Sequence, residues 1–184
     1  MLELMWLSKY VYFLGEGDEK MGFDLIKVEE KDKNILFNLM QLYTYELSFY
    51  EDETTNFTLL DSGLYAMNDY LELYFKEESR HPYILKYDNK LAGFVMQRHN
   101  SENINEIAEF FVLNKYRRMG AGTFMANKMF ELYKGKWEIS ILIKNERAKC
   151  FWRNVVNKVS NSKFEERLIR GNSRYAFYFE NYDV

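Results

Sequence analysis

At 184 residues, with hydrophobic residues at 47% and charged residues at 29%, the chain fits one globular domain with a substantial core better than two. Its net charge of −3 argues against a protein that grips nucleic acid through phosphate neutralisation. A single cysteine, Cys150, excludes an internal disulfide framework and a cysteine-based zinc cluster, which suits a reducing cytoplasmic setting; His81 and His99, isolated in the sequence, make no metal-site signature.

The first stretch, MLELMWLSKYVYFLGEG, is apolar for about a dozen residues, short of the roughly 20 that a membrane-spanning helix needs, and it lacks a basic start. No signal or membrane anchor is read there. Residues 1–20 form an extension, either packed on the domain or produced by an upstream start choice, and residues 21–184 form the domain.

Phe23 to Glu29 alternates apolar and polar residues and predicts a strand. Asp32 is positioned to cap a helix reaching to about Phe49, with Ile35, Leu36, Leu39, Leu42, Tyr43 and Leu47 at the spacing of one core-facing side. After the polar break Glu51 to Asn56, a second helical pattern carries Leu64, Met67, Leu71, Tyr74 and Phe75. His81-Pro82 stops helix formation, because the pyrrolidine ring biases the preceding residue away from helical geometry. Tyr83 to Tyr87 and Leu91 to Arg98 then read as a hairpin about Asp88-Asn89-Lys90.

The most informative stretch is Asn105 to Thr123. A nearly continuous apolar run, Ile107 to Leu113, precedes the basic, glycine-containing turn Arg117-Arg118-Met119-Gly120-Ala121-Gly122, and an amphipathic segment follows with Phe124, Met125, Met129, Leu132 and Tyr133 on one face, ended by Gly135. Strand, turn and helix in that order bring unpaired helix-start N–H groups and the positive end of a helix dipole to one point, where an anion can sit. Downstream, Trp137 to Ile143 predicts a buried strand, and Asn145 caps a helix striped by Ala148, Phe151, Trp152, Val155, Val156 and Val159. Phe164 to Ile169 and Arg174 to Phe179 close the chain as a hairpin about Gly171-Asn172. The sum is a mixed α/β (α+β) domain of about seven strands and four helices.

The pattern Arg117-x-x-Gly120-x-Gly122 resembles the acetyl-CoA pyrophosphate loop of the GNAT superfamily of N-acetyltransferases. The strand exit Val112-Leu113-Asn114-Lys115-Tyr116-Arg117, the later Asn145-x-x-Ala148-x-x-Phe151-Trp152 and the order of elements from Phe23 to Phe179 resemble that family too. The resemblance implies one GNAT-like domain with a central, mostly antiparallel mixed sheet. It also implies pyrophosphate binding by N–H groups from Arg118 through Met119, Gly120, Ala121 and Gly122 to Thr123, with help from the Arg117 and Arg118 side chains. Backbone groups near Phe111, Val112 and Leu113 would pair with the pantetheine arm. Asn145 reads equally as a contact to that arm and as a plain helix cap.

The implied activity is acetyl transfer from acetyl-CoA to a primary amine by direct attack, with no metal. The candidate bases are Glu106 and Glu109. Their opposite strand parity lets only one face the site unless a bulge intervenes, and Glu109 is favoured over Glu106; the plain alternative is a pair of solvated or ion-paired carboxylates. Many family members have a tyrosine as proton donor where this chain has Trp152, whose indole has no useful acidity, so Trp152 belongs to the core or lines the CoA channel. The family's glycine after this helix is also replaced, by Asn161-Ser162. Tyr43, Tyr45, Tyr50, Tyr65, Tyr70 and Tyr74 beside Glu46, Glu51, Asp52 and Glu53 read either as a wall for a cationic amine or as an aromatic core edge with an acidic loop. Cys150 reads as structural. The expected acceptor is a small-molecule or peptide amine, with neither nucleic acid nor membrane as partner, and edge strands make a homodimer plausible. Two rival readings are a CoA-binding regulatory or interaction module without catalysis and an unrelated phosphate-ligand binder.

Overall fold

The computed structural model describes residues 22–50 and 57–182. The expected extension at 1–20 and the acidic run Glu51, Asp52 and Glu53 lie outside them. The described elements are β1 (Phe23–Lys27), α1 (Lys33–Leu47), α2 (Asn68–Lys76), β2 (Arg80–Tyr87), β3 (Lys90–His99), β4 (Asn105–Val112), α3 (Ala121–Leu132), β5 (Lys136–Leu142), α4 (Glu146–Val159), β6 (Phe164–Ile169) and β7 (Arg174–Glu180).

The strands make a single sheet in the order β1-β2-β3-β4-β5-β7-β6, antiparallel except where β4 meets β5. Leu36, Leu39 and Met40 of α1 and Leu71 and Tyr74 of α2 pack with Ile84, Phe94, Met96 and Phe111 on one face. Met125, Met129 and Phe130 of α3 and Trp152, Val155 and Val156 of α4 pack with Val95, Ile107, Trp137, Ile139 and Phe177 on the other. A sheet carrying apolar residues on both faces is thereby covered on both.

Several expectations shift in detail. The first strand stops at Lys27, and α1 stops at Leu47, followed by a tight turn over Ser48–Tyr50. Asp32 holds the N-cap position of α1 without a capping side-chain bond. Ile35, Leu42 and Leu132, expected in the core, are exposed, whereas Met40 and Phe130 are buried, so the buried stripes of α1 and α3 are rotated from the expected ones. Leu64 precedes α2 and is exposed. His81-Pro82 lies within β2 instead of ahead of it. Pro82 lies opposite Val28, one residue past the end of β1, where its carbonyl still receives Val28 N–H and its missing N–H costs the ladder a single bond.

Local turn chemistry explains the hairpins. Asp88 and Asn89 both take positive φ, 47° and 62°, as a two-residue turn matched to strand twist requires. Asn161 and Ser162 adopt left-handed φ of 51° and 65° where the family has glycine, and the β6–β7 register runs without a break from Phe164↔Phe179 to Ile169↔Arg174.

Buried Asn181 ties the α3–β5 junction together. Its Oδ1 accepts from Gly135 N–H at 2.8 Å and from Trp137 Nε1 at 3.2 Å, and its Nδ2 donates to the Phe130 carbonyl at 2.8 Å. Asn181→Ala strands these partners away from water and lowers the unfolding free energy by about 3 kcal/mol, measurable by urea denaturation.

Candidate active site

The sheet opens in one place. The parallel strands β4 and β5 pair only at Asn105↔Trp137 and Glu106↔Glu138, and β4 continues from Ile107 to Val112 without a β5 partner. Beside this opening the chain makes a turn at Asn114–Tyr116 and enters α3 through Arg118 (φ 64°) and Gly120 (φ 86°), the N-cap. The left-handed value at Gly120 is one that side chains resist. Gly122 has a different constraint: a Cβ there would meet the Phe151 ring at 3.2 Å, so its absence lets α3 approach α4.

A cleft of about 380 Å³ occupies the opening. Every residue from Arg117 to Thr123 except Met119 lines it, with Phe111 and Val112 at the strand exit and Asn145 and Trp152 opposite. Met119 is largely exposed, and Leu113 packs into the core with its N–H donating to the Ala92 carbonyl. Arg118 and Arg147 stand exposed on the rim. Arg117 is committed elsewhere: its Nε donates to the Val112 carbonyl at 2.7 Å, its Nη2 pairs with Glu46 of α1, and its guanidinium lies over Phe111. The pair joins the glycine turn to α1 across the cleft.

Asn145 accepts Ala148 N–H at 3.0 Å as the α4 cap while also lining the cleft. Trp152 is both core and wall, 3% exposed and packed on Phe110 with ring centroids 4.7 Å apart. Cys150 is exposed and does not line the cleft.

The two strand carboxylates share a face. A bulge falls where Met96 pairs with Glu109 and Gln97 pairs with Ile107, so one extra residue, Ala108, cancels the parity difference. Met96 belongs to the α1–α2 core, and its partner Glu109 points to that side; Arg98, two residues on, shares that face with its own partner Glu106. Arg98 Nε binds Glu106 at 2.6 Å. Among the described residues Glu109 makes no such tight ion pair, and it does not line the cleft. Burial pushes its carboxyl above the ordinary carboxylate range, against hydrogen bonding from the Tyr43 and Tyr70 hydroxyls and the positive fields of Arg174 and Arg98. Burial also raises the Tyr43, Tyr70 and Tyr74 phenols, so all three remain protonated donors at neutral pH.

Of the tyrosines read as an acceptor wall, Tyr43, Tyr70 and Tyr74 gather around Glu109, with 3.3 Å between the Tyr70 and Tyr74 oxygens. Tyr50 lines the cleft, the Tyr65 N–H donates to Gln41 Oε1, and Tyr45 is exposed. Arg98, Arg147 and Arg174 were not signalled by the loop motif, although strand alternation in Arg174–Phe179 puts Arg174 opposite the core residues Phe177 and Phe179. The two histidines, far apart in sequence, meet in space: His81 stacks on Tyr133, its ring 5.7 Å from that of His99, and burial with nearby Lys27 lowers His81 to about 4. Among the described residues no group of three or more His, Cys, Asp or Glu could hold a metal ion, and no helix is long and apolar enough to cross a membrane.

The model of the acetyltransferase (GNAT) family matches residues 40–155. No curated protein matches the chain. Among solved structures, an acetyltransferase from Thermus thermophilus superposes with a TM-score of 0.61 at 14% identity, covering 86% of this chain and 96% of its own. A spermidine N-acetyltransferase from Vibrio cholerae, in complex with CoA and spermine, gives 0.58 at 16%, covering 87% and 96%. The ribosomal-protein-S18-alanine N-acetyltransferase of Escherichia coli gives 0.59 at 10%, covering 88% and 96%. At these identities the likeness is one of fold.

The raised Glu109 carboxyl has a consequence for stability. A raised acid favours the folded state fully below its ordinary value of 4.5, and that contribution is lost as pH rises through the folded value. Glu109→Gln removes the titration. The stability of the variant relative to the parent therefore rises between pH 4.5 and pH 7.5, as urea midpoints at the two values measure.

Proposed function

The chain belongs to the acetyltransferase (GNAT) family, and on that premise we propose that it transfers an acetyl group from acetyl-CoA to a primary amine by direct attack, without a covalent enzyme intermediate. One observation carries the proposal: β4 and β5 part beside a left-handed glycine turn, and the unpaired part of β4 bears a half-buried carboxylate.

The residues present fit acetyl-CoA. N–H groups from Arg118 to Thr123 would hold the pyrophosphate at the α3 N-terminus, aided by the exposed Arg118 and Arg147. Backbone groups at the β4 exit and Asn145 would hold the pantetheine arm. The Val112 carbonyl, already accepting from Arg117, has one lone pair left for it. The cleft volume lies within the range of ligand sites. When bound, acetyl-CoA supplies an electrophilic thioester carbon and a thiol leaving group.

The chain's own task is proton management. A lysine-like amine has a pKa of about 10.4, so freeing it at pH 7 costs about 4.6 kcal/mol. Glu109 suits the role of base because burial raises its affinity for the proton while Tyr43 and Tyr70 orient the carboxylate. Glu106, bound by Arg98, suits that role less. Trp152 donates no proton to the leaving group, since indole has no useful acidity. The spermidine and S18-alanine enzymes among the structural neighbours bear names of amine acetyltransferases, which supports an amine as acceptor class. A chain with one cysteine suits the cytoplasm.

Gly120→Val abolishes acetyl-CoA binding by calorimetry while leaving the circular dichroism spectrum intact, because the strain is confined to the turn. Glu109→Gln keeps acetyl-CoA affinity and lowers kcat/KM for the amine about 100-fold. Unchanged turnover in that variant would remove Glu109 from the mechanism.

A further inference from the structure

Glu46 is an unexpected lining for a cleft that would take a polyanion. It sits on the last turn of α1 and lines the cleft together with Arg117, Arg118 and Arg147. The field of a carboxylate there opposes an incoming diphosphate. Its partner is Arg117, whose side chain is only 17% exposed, so the two do not form one of the surface ion pairs that contribute little.

What Glu46 holds accounts for its presence. Arg117 reaches three places at once: Nη2 pairs with Glu46, Nε donates to the Val112 carbonyl at 2.7 Å, and the guanidinium lies over the Phe111 ring, 5.7 Å from its centroid. Phe111 and Val112 are the last two residues of β4, and both line the cleft. They pair with Phe94 and Gly93 of β3 on one side and have no β5 neighbour on the other. A strand end held along one edge can open locally unless a second attachment fixes it. Arg117 supplies that attachment, and Glu46 anchors Arg117 to α1. The helix is itself seated on the two strands: Tyr43, one turn before Glu46, packs on the Phe94 and Phe111 rings with centroids 5.6 and 5.7 Å away.

We propose that Glu46 is a positioning residue for acetyl-CoA. Through Arg117 it fixes the unpaired exit of β4 in the shape that receives the cofactor's arm, and it thereby raises affinity for a ligand whose charge it repels. The effect runs from Glu46 to Arg117 to Val112 and needs no contact between Glu46 and the cofactor. Two consequences of removing the carboxylate are thus opposite in sign. Loss of its field alone tightens binding of a polyanion, whereas loss of its hold on Arg117 loosens the strand exit and weakens binding of the arm. This rests on the acetyl-transfer reading, in which acetyl-CoA is the ligand of the cleft.

Calorimetry with acetyl-CoA on the full chain reads the sign. Glu46→Ala weakens acetyl-CoA binding roughly tenfold, the scale of a lost charge-assisted hydrogen bond, and Glu46→Gln weakens it by less, because the amide oxygen still accepts from Arg117. The phosphoadenosine diphosphate half of CoA, which lacks the arm, changes by no more than about twofold in either variant, since only the grip on the arm is lost. Arg117→Ala weakens acetyl-CoA binding at least as much as Glu46→Ala does, and adding Glu46→Ala to it weakens binding no further, because the carboxylate then has nothing to hold. Unchanged or tighter acetyl-CoA binding in Glu46→Ala, an equal loss for the half without the arm, or losses that add in the double variant overturns the inference. Where Glu46→Ala fails to fold, Glu46→Gln carries the same comparison. Failure of the parent protein to bind acetyl-CoA at all would overturn the acetyl-transfer reading instead.

Discussion

Everything about the site depends on the parting of β4 and β5 after Glu106. A parallel pair within an otherwise antiparallel sheet needs a crossover, and α3 supplies it, so the N-terminus of α3 necessarily lies at the strand exit where the gap begins. One topological choice therefore delivers three things together: unpaired strand edge, converging helix N–H groups, and a carboxylate strand facing the gap. The bulge at Ala108 belongs to the same design, since without it Glu106 and Glu109 would point to opposite faces.

Electrostatics divides the opening into two ends. Around the turn, Arg118 and Arg147 leave a positive rim suited to phosphates. Toward α1 and α2, phenols held protonated by burial surround a carboxyl pushed upward, a setting for proton transfer. The Arg117–Glu46 pair bridges the two ends and, through Val112, also fixes the exit of the strand. The glycine turn and the exit of β4 are consequently tied to α1 through one short segment, Val112 to Arg117.

Much of the fold is legible in local chemistry. The α4 stripe and the Asn145 cap follow from spacing and a side-chain acceptor, and the Asp88-Asn89 and Gly120 turns from residues that tolerate positive φ. What spacing does not determine is which of several apolar residues wins the core: α1 buries Met40 and exposes Leu42 because the sheet selects a stripe that a helix rich in apolar residues leaves ambiguous. Strand parity misleads at Glu106 and Glu109 because a bulge depends on cross-strand pairing, to which single-strand alternation is blind. The pairing of Arg117 with Glu46, 71 residues apart, is equally a tertiary fact.

The central claim is that acetyl-CoA binds at the Gly120 turn with its arm in the β4–β5 gap. Backbone amide shifts measured by NMR during titration with acetyl-CoA test it most directly. The account predicts large changes confined to Arg118–Thr123, the β4 exit at Phe111–Leu113 and the neighbourhood of Asn145, with far smaller changes for ATP at the strand exit. Shifts centred elsewhere, or the same pattern with ATP, would contradict it.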